Sequence, residues 1–233
     1  VINCTPSFLS NLLTSPDFCH KNFSNLSFLC SGGEPLSTKL ASRVIDRFPN
    51  LCLVNGYGCT EATAGPLICT ISKELIEKSG NYLPVGIATE SPNTYLVNDD
   101  GIVSQDEVLG ELIITGGFVS SGYYNKGILT KEAFFTTEAG ERAYRTKDLM
   151  YKKDDLYYFT GRKDNQIKIG GNRVEIEDVE ANLRKVEIVK DCAAITVQDK
   201  NGINLIVAYV VLHDETLGKM KAIINIKTEL KKL

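Results

Sequence analysis

Histidine is nearly absent from this chain of 233 residues: His20 and His213 are the only two, which leaves a Cys–His nucleophilic centre almost without support. No CxxC pair occurs, and the seven cysteines are odd in number, several inside apolar, strand-like runs such as LSFLC and LCLV. Disulfides and a zinc site are therefore not expected, and the thiols are read as reduced and mostly buried. Basic residues give no excess either: 26 Lys and Arg against 29 Asp and Glu leave a net charge of −3, which argues against a general nucleic-acid or membrane-surface binder. A phosphate-bearing ligand would have to be held locally. No apolar stretch approaches the roughly 20 residues that span a bilayer, and no charged segment leads into an apolar one as in a secretory leader. The chain is read as cytoplasmic. Its first residue is Val1 and it opens directly in apolar sequence, so it is read as a piece of a longer protein.

What is present is ordinary globular composition, 43% apolar and 24% charged, enough for two modest domains. Residues 26–30, 36–48 and 51–54 read as strand, helix and strand, the crossover pattern of a parallel sheet. Leu36, Leu40, Val44 and Phe48 recur at helical spacing, with Lys39, Arg43 and Arg47 on the other side and Pro49-Asn50 beyond the end. From Pro84 the pattern changes to short strands and turns, Asp99-Asp100-Gly101 being a hairpin signal, and a small distorted barrel is expected. Further on, Ile176, Val179, Leu183 and Val186 form a helical stripe. Residues 192–197 and 203–212 read as strands about a Lys200-Asn201-Gly202 turn, and 216–233 as a helix. The fold class is thus α/β followed by α+β. Residues 1–163 form a larger domain (1–83 the αβ sheet part, 84–163 the β-rich part) and residues 164–233 a small one.

The segment between them, Tyr157 to Glu177, reads YYFTGRKDNQIKIGGNRVEIE. An apolar strand leads into Arg162, Lys163 and Asp164, then an alternating run to Ile169, then a Gly170-Gly171-Asn172 turn. Alone, it is a solvated turn or an interdomain hinge. Four other runs precede it: SGGEPLS from Ser31, NGYGCTEAT from Asn55, GELIITGGFVSSGYY from Gly110 and YRTKDL from Tyr144. Gly32 and Gly33 lack Cβ atoms and would let backbone approach a flat base. The second run sets an aromatic between two glycines, then a hydroxyl and a carboxylate. Asp148 offers acceptors, and Arg162 a fork of donors. Each run taken singly is also what a plain strand-to-helix turn or a surface charge looks like.

In this order the five runs resemble the signature segments of the adenylate-forming enzyme superfamily, most closely the amino-acid adenylation domains of nonribosomal peptide synthetases and the D-alanine:carrier-protein ligases. The resemblance covers nearly the whole chain. It implies that residues 1–163 are the C-terminal part of a large adenylation domain and that residues 164–233 are a truncated, mobile lid. It further implies that Gly32, Gly33 and Glu34 border adenine and acyl substrate, and that Asn55, Gly56, Tyr57 and Gly58 line the nucleotide, Tyr57 stacking on the base. By the same resemblance Thr60 bonds the α-phosphate, Glu61 coordinates Mg2+, Asp148 accepts from the ribose hydroxyls and Arg162 reaches ribose or phosphate. Asp164 matches the hinge, and Lys168, Gly171 and Arg173 the loop that faces the site during thioester formation. The family commonly has Pro where Cys59 stands and Gly where Lys147 stands. If position 147 needs a positive φ, lysine there costs about 1 kcal/mol, and Lys147 is also placed to pair with Asp148.

The function implied is ATP-dependent amino-acid activation: a carboxylate joins the α-phosphate, pyrophosphate leaves, and the acyl group moves to the phosphopantetheine thiol of a partner carrier protein. Such chemistry asks for positioning and charge stabilisation more than for acid–base groups. Acyl-CoA ligase or D-alanine:carrier-protein ligase chemistry is the alternative among enzymes, and a noncatalytic nucleotide-binding or carrier-docking module the alternative outside them. The family's Gly/Ser/Thr-rich phosphate loop and its terminal lysine do not occur in these residues, so the chain by itself is expected to be inactive.

Overall fold

Strand β1 (Ile2–Cys4), helix α1 (Pro6–Leu12), strand β2 (Phe28–Gly32), helix α2 (Thr38–Arg47) and strand β3 (Cys52–Tyr57) open the computed structural model, which describes every residue except 64, 90–92, 165, 200–201, 215 and 233. The chain divides into two units, Val1–Asp164 and Asn165–Leu233. In the first, β1, β2 and β3 pair in parallel, as the crossover pattern predicts. Strands β4 (Leu67–Ile71) and β5 (Ile87–Ala88) then extend the sheet antiparallel, with helix α3 (Lys73–Lys78) between them. The sheet is therefore mixed. Thr5, Ser37 and Ser72 each open a helix by accepting a backbone N–H three residues on. The inner face of α2, Leu40, Ala41, Val44 and Ile45, shares one core with Leu9, Leu29, Leu53 and Phe48.

Strands β2 and β3 run further than the sequence implies, to Gly32 and Tyr57, so that Asn55, Gly56 and Tyr57 are paired strand residues and not a loop. The reason is steric. Gly32 lies opposite Gly56, and a Cβ on Gly32 would stand 2.5 Å from the Gly56 carbonyl oxygen, so the glycine at position 32 lets the ladder continue where a larger residue would end it.

A second, antiparallel sheet follows: β6 (Asn93–Asn98), β7 (Gly101–Val103), β8 (Gly110–Thr115), then helix α4 (Gly127–Ala133), β9 (Phe134–Thr136), β10 (Arg142–Lys153) and β11 (Leu156–Arg162). Among the described residues its order runs β11-β10-β8-β6-β7, with β9 also on β10. Among the described residues the strands form a curled half-barrel, in keeping with the small distorted barrel expected from the sequence. Every residue of β8 is buried, and Leu112, Ile114, Phe134, Tyr144, Met150 and Tyr57 belong to a second core. Backbone bonds between Gly86 and Tyr157 and between Val85 and Tyr157, each 2.8 Å, tie β11 to the chain leading into β5.

The second unit is α+β: the hairpin β12 (Gln166–Ile169) and β13 (Asn172–Glu175), helix α5 (Ile176–Arg184), the ribbon β14 (Val189–Gln198) and β15 (Asn204–Leu212), and helix α6 (Lys219–Leu230). Gly170 and Gly171 carry the positive φ angles, 57° and 81°, that the first hairpin turn requires. Leu183, Val186, Val189 and Cys192 form its core with Val179 and Ile226 packed against them. Lys200 and Asn201 of the expected turn lie outside the described residues; Gly202 has φ 79°. All seven cysteines are free, but only Cys69 and Cys192 are buried and Cys52 is exposed, so the expectation of mostly buried thiols is too strong. Strand ends and edges account for the difference: Cys52 and Cys4 sit at the first and last positions of their strands.

Candidate functional site

Asp148 is placed by a bulge in β10. Between the pairs Arg145–Ile113 and Leu149–Glu111, three residues of β10 face one of β8. The Thr146 hydroxyl donates to the Leu112 carbonyl (2.8 Å) and accepts the Asp148 N–H (3.0 Å). Lys147 takes φ 61°, a positive value that costs a residue other than glycine about 1 kcal/mol. Its N–H donates to Glu111 Oε1 (3.0 Å), and its carbonyl accepts the Lys163 N–H (2.8 Å).

The bulge turns the Asp148 carboxylate inward, where the residue is 2% exposed. Its Oδ2 accepts from the Tyr57 hydroxyl at 2.5 Å, and its Oδ1 from Arg162 Nη1. Arg162 turns its other edge to Asp164, Nε to Oδ1 at 2.7 Å and Nη2 to Oδ2 at 3.0 Å. Burial pulls the guanidinium's pKa down, but the Asp164 and Asp148 carboxylates outweigh it and raise the pKa above its usual value. Lys147 does not pair with Asp148. Its Nζ lies 3.6 Å from Asp164 Oδ2, because neighbouring strand residues point to opposite faces and Asp148 takes the inner one. Tyr57, 6% exposed, belongs to the second core and is anchored through its hydroxyl.

The Glu34 carboxylate accepts the Ser7 N–H (2.9 Å) and hydroxyl (3.1 Å), which fastens the loop after β2 to α1. Gly33 in that loop has φ 84°. Asn55 uses its amide on the Pro84 carbonyl (2.9 Å). These contacts give Glu34 and Asn55 a positioning task that the resemblance does not foresee. Gly58 leads to a short turn at Thr60–Ala62 that leaves Thr60 exposed and Glu61 buried. Glu61 Oε1 accepts from the Tyr123 hydroxyl (2.8 Å), and its carbonyl accepts the Ser120 N–H (2.8 Å). With Cys59 in place of proline the turn still holds, because those bonds and the one from the Thr63 hydroxyl to the Phe118 carbonyl (2.8 Å) fix it from outside.

The structure thus gathers Tyr57, Asp148, Arg162 and Asp164 into one cluster in the first unit. Lys168, Gly171 and Arg173 belong to the hairpin of the second unit, Lys168 directly opposite Arg173. Three residues that shape the site carry no assignment from sequence: Glu111, Tyr123 and Thr146. Glu111 and Tyr123 both stand in the run from Gly110 to Tyr124, and a carboxylate inside an otherwise apolar strand is the signal that marks the first of them.

The AMP-binding enzyme family model matches residues 1–124. The chain belongs to this family of adenylate-forming ligases. It is 36% identical over 229 residues, 97% of its length, to a D-alanine–D-alanyl carrier protein ligase of Listeria innocua, of which it covers 44%. A D-alanine–D-alanyl carrier protein ligase of Streptococcus equi is 36% identical over 212 residues, covering 90% of this chain and 41% of that protein. This AMP-binding family member therefore spans less than half the length of these curated relatives. Among solved structures, holo-PA1221, an NRPS protein containing adenylation and PCP domains, superimposes with TM-score 0.81 at 26% identity, covering 96% of this chain and 38% of that one. The Vibrio cholerae adenylation domain AlmE, in complex with glycyl-adenosine-5'-phosphate, gives TM-score 0.78 at 26% identity, with 98% and 43% covered.

The buried tyrosines make the first unit of this family member sensitive to alkali. Burial and the Asp148 carboxylate push the Tyr57 hydroxyl well above its ordinary value, and burial with Tyr123 does the same to Tyr144. Burial pushes the Cys69 thiol up to about 11, and burial with Cys30 beside it does the same to Cys4. For each group the folded state keeps a proton that the unfolded state gives up, so its stability is full below the unfolded pKa and is lost as pH rises. The loss starts near pH 9 for the thiols and near pH 10 for the tyrosines, at up to about 1.4 kcal/mol per pH unit per group. Urea titrations between pH 8 and 11 should show it, and Tyr57→Phe should flatten the slope above pH 10.

Proposed function

We propose that the cluster about Asp148 is the ribose-binding part of an ATP site in a ligase that activates a small amino acid for transfer to a carrier protein. The observation that carries the reading is the Asp148 carboxylate held inward between the Tyr57 hydroxyl and the Arg162 guanidinium. A carboxylate has about four lone-pair sites. Two are taken, and two remain for the vicinal hydroxyls of a ribose. Arg162, raised in pKa and buried, keeps its charge at any working pH and fixes the position of that carboxylate through its Nη1 donor.

The remaining residues follow from the same placement. Exposed Thr60, next to Glu61 in the turn after β3, presents a hydroxyl suited to an α-phosphate oxygen. Among the described residues no three carboxylate, histidine or cysteine side chains gather into a metal cage. A Mg2+ carried by nucleotide phosphates needs only one or two protein carboxylates, and Glu61, oriented by Tyr123, fits as that ligand. When bound, the ion would neutralise phosphate charge. Asp164 is the pivot in this reading, and Lys168, Gly171 and Arg173, on the first hairpin of the second unit, are the residues of its thioester loop.

Two similarities support a small amino acid over other carboxylates: the D-alanine–D-alanyl carrier protein ligases at 36% identity and the AlmE structure with its glycyl adenylate. D-Alanine and glycine differ by one methyl group. D-Alanine activation for a carrier thiol is accordingly the reading preferred to a larger synthetase substrate.

The test is a calorimetric titration of the 233-residue chain with AMP, whose two ribose hydroxyls are both free. Asp148→Asn removes the charge and half the acceptor capacity at nearly constant shape. Hydrogen bonds to a charged group contribute about 1.5–3 kcal/mol, so affinity is expected to fall roughly 10- to 100-fold. Equal binding by the variant would remove Asp148 from the nucleotide site.

A further inference from the structure

We infer that Glu111 is the positioning residue of the site: it clamps the left-handed turn at Lys147 and thereby sets where Asp148 and Arg162 stand. Glu111 lies on β8, all six residues of which are buried, and is itself 5% exposed. A carboxylate so placed must be compensated by charge and hydrogen bonds. Its two oxygens divide the work. Oε1 accepts the Lys147 N–H at 3.0 Å; Oε2 accepts Lys163 Nζ at 3.2 Å and lies 3.9 Å from Arg145 Nη1.

Those partners are the flanks of the site. Lys147 precedes Asp148, and Lys163 follows Arg162. The Lys163 N–H donates to the Lys147 carbonyl (2.8 Å), so the β10 bulge and the end of β11 are stitched together by one backbone bond and one shared carboxylate. The N–H of Lys147 falls in the bulge, where β10 and β8 lose register, and the carboxylate takes it. The φ of 61° at a lysine is a strained conformation that persists when its surroundings over-determine it. Glu111 supplies that determination from one side and Thr146 from the other.

This differs from a general stabilising ion pair in one testable respect. If Glu111 acts by holding residue 147 at positive φ, its removal should matter less once that φ carries no penalty. Glycine adopts positive φ freely. Lys147→Gly is therefore the informative background.

The experiment uses the 15N-labelled 233-residue chain and follows the backbone amide of Asp148 and the side-chain Nε–H of Arg162. Glu111→Ala is expected to shift both strongly, and in the Lys147→Gly background the same substitution is expected to shift them much less. Glu111→Gln, which keeps an acceptor for the 147 N–H, should show the same order with smaller shifts and serves where the alanine variant does not fold. No shift on Glu111 substitution, or equal shifts in both backgrounds, would overturn the clamp. Its value for nucleotide binding rests on the ribose reading of Asp148, so AMP affinity is measured by calorimetry on the same variants and should fall and recover in parallel with the shifts. Should Asp148→Asn bind AMP as well as the parent, the ribose reading fails while the NMR comparison still decides the clamp. Shifts that recover without any parallel in affinity would overturn the link between the two.

Discussion

Arg162→Met should destabilise the first unit by about 3–5 kcal/mol, the usual cost of removing one member of a buried ion pair. The side chains of Arg162 and Asp148 are 7% and 3% exposed, so the carboxylate left behind has little access to water. It would retain the Tyr57 hydroxyl, which cannot balance a full negative charge. Asp164, the other partner, is 26% exposed and can be rehydrated, so the penalty falls on Asp148. At about 2–4 °C per kcal/mol for a unit of this size, the melting temperature should drop by roughly 6–20 °C. Two comparisons assign the cause. Asp164→Asn should cost about 1 kcal/mol or less, as partly exposed pairs do. Adding Asp148→Asn to Arg162→Met should recover stability, because the stranded charge is gone. A calorimetric loss below 1 kcal/mol for Arg162→Met would mean that the pair is not buried in solution.

Gly86→Ala is expected to be at least as damaging, at more than about 4 kcal/mol, in the range reserved for backbone conflicts and core disruption. Gly86 has φ 103°, and a Cβ there would meet the Ile68 carbonyl oxygen at 1.7 Å and its carbon at 2.1 Å. Those are main-chain atoms of β4 and cannot rotate aside. Relief requires β4 and β5 to part, or the Gly86–Tyr157 backbone bonds that hold β11 to break. The measurable outcome is loss of cooperative unfolding of the first unit, or insoluble protein. Gly80→Ala, with nothing within 4 Å of its added Cβ, is the control and should change stability by about 0.5 kcal/mol or less. A well-folded Gly86→Ala protein would refute the close approach of these strands.

The two variants probe different levels of legibility. Helix α2 was readable because its apolar positions repeat every three or four residues and Pro49-Asn50 follows its end, both local signals. The hairpin turn at Gly170-Gly171 was readable for the same reason. Beyond the local, reading failed in identifiable places. The strands at Gly32 and Tyr57 looked like loops because glycine is a turn residue by propensity, and only the facing strand shows that the gap between Gly32 and Gly56 has no room for a Cβ. Lys147 looked like a partner for Asp148 because they are adjacent, but adjacency on a strand puts side chains on opposite faces.

Sequence by itself determined the kind of protein: an α/β then α+β chain whose five ordered runs place it among adenylate-forming ligases, with Asp148 and Arg162 as the residues to follow. Periodicity carries the elements and the resemblance of the five runs carries the family and its residues, because both are legible segment by segment. Tertiary structure alone decided how those residues are held. Asp148 and Tyr57 are 91 positions apart, Lys147 and Glu111 36 apart, and Tyr123 and Glu61 62 apart. No local pattern encodes such pairings; they exist because two sheets bring the end of β3, the start of β8 and the bulge in the middle of β10 to one place, where buried charges and strained turns must find partners or unfold.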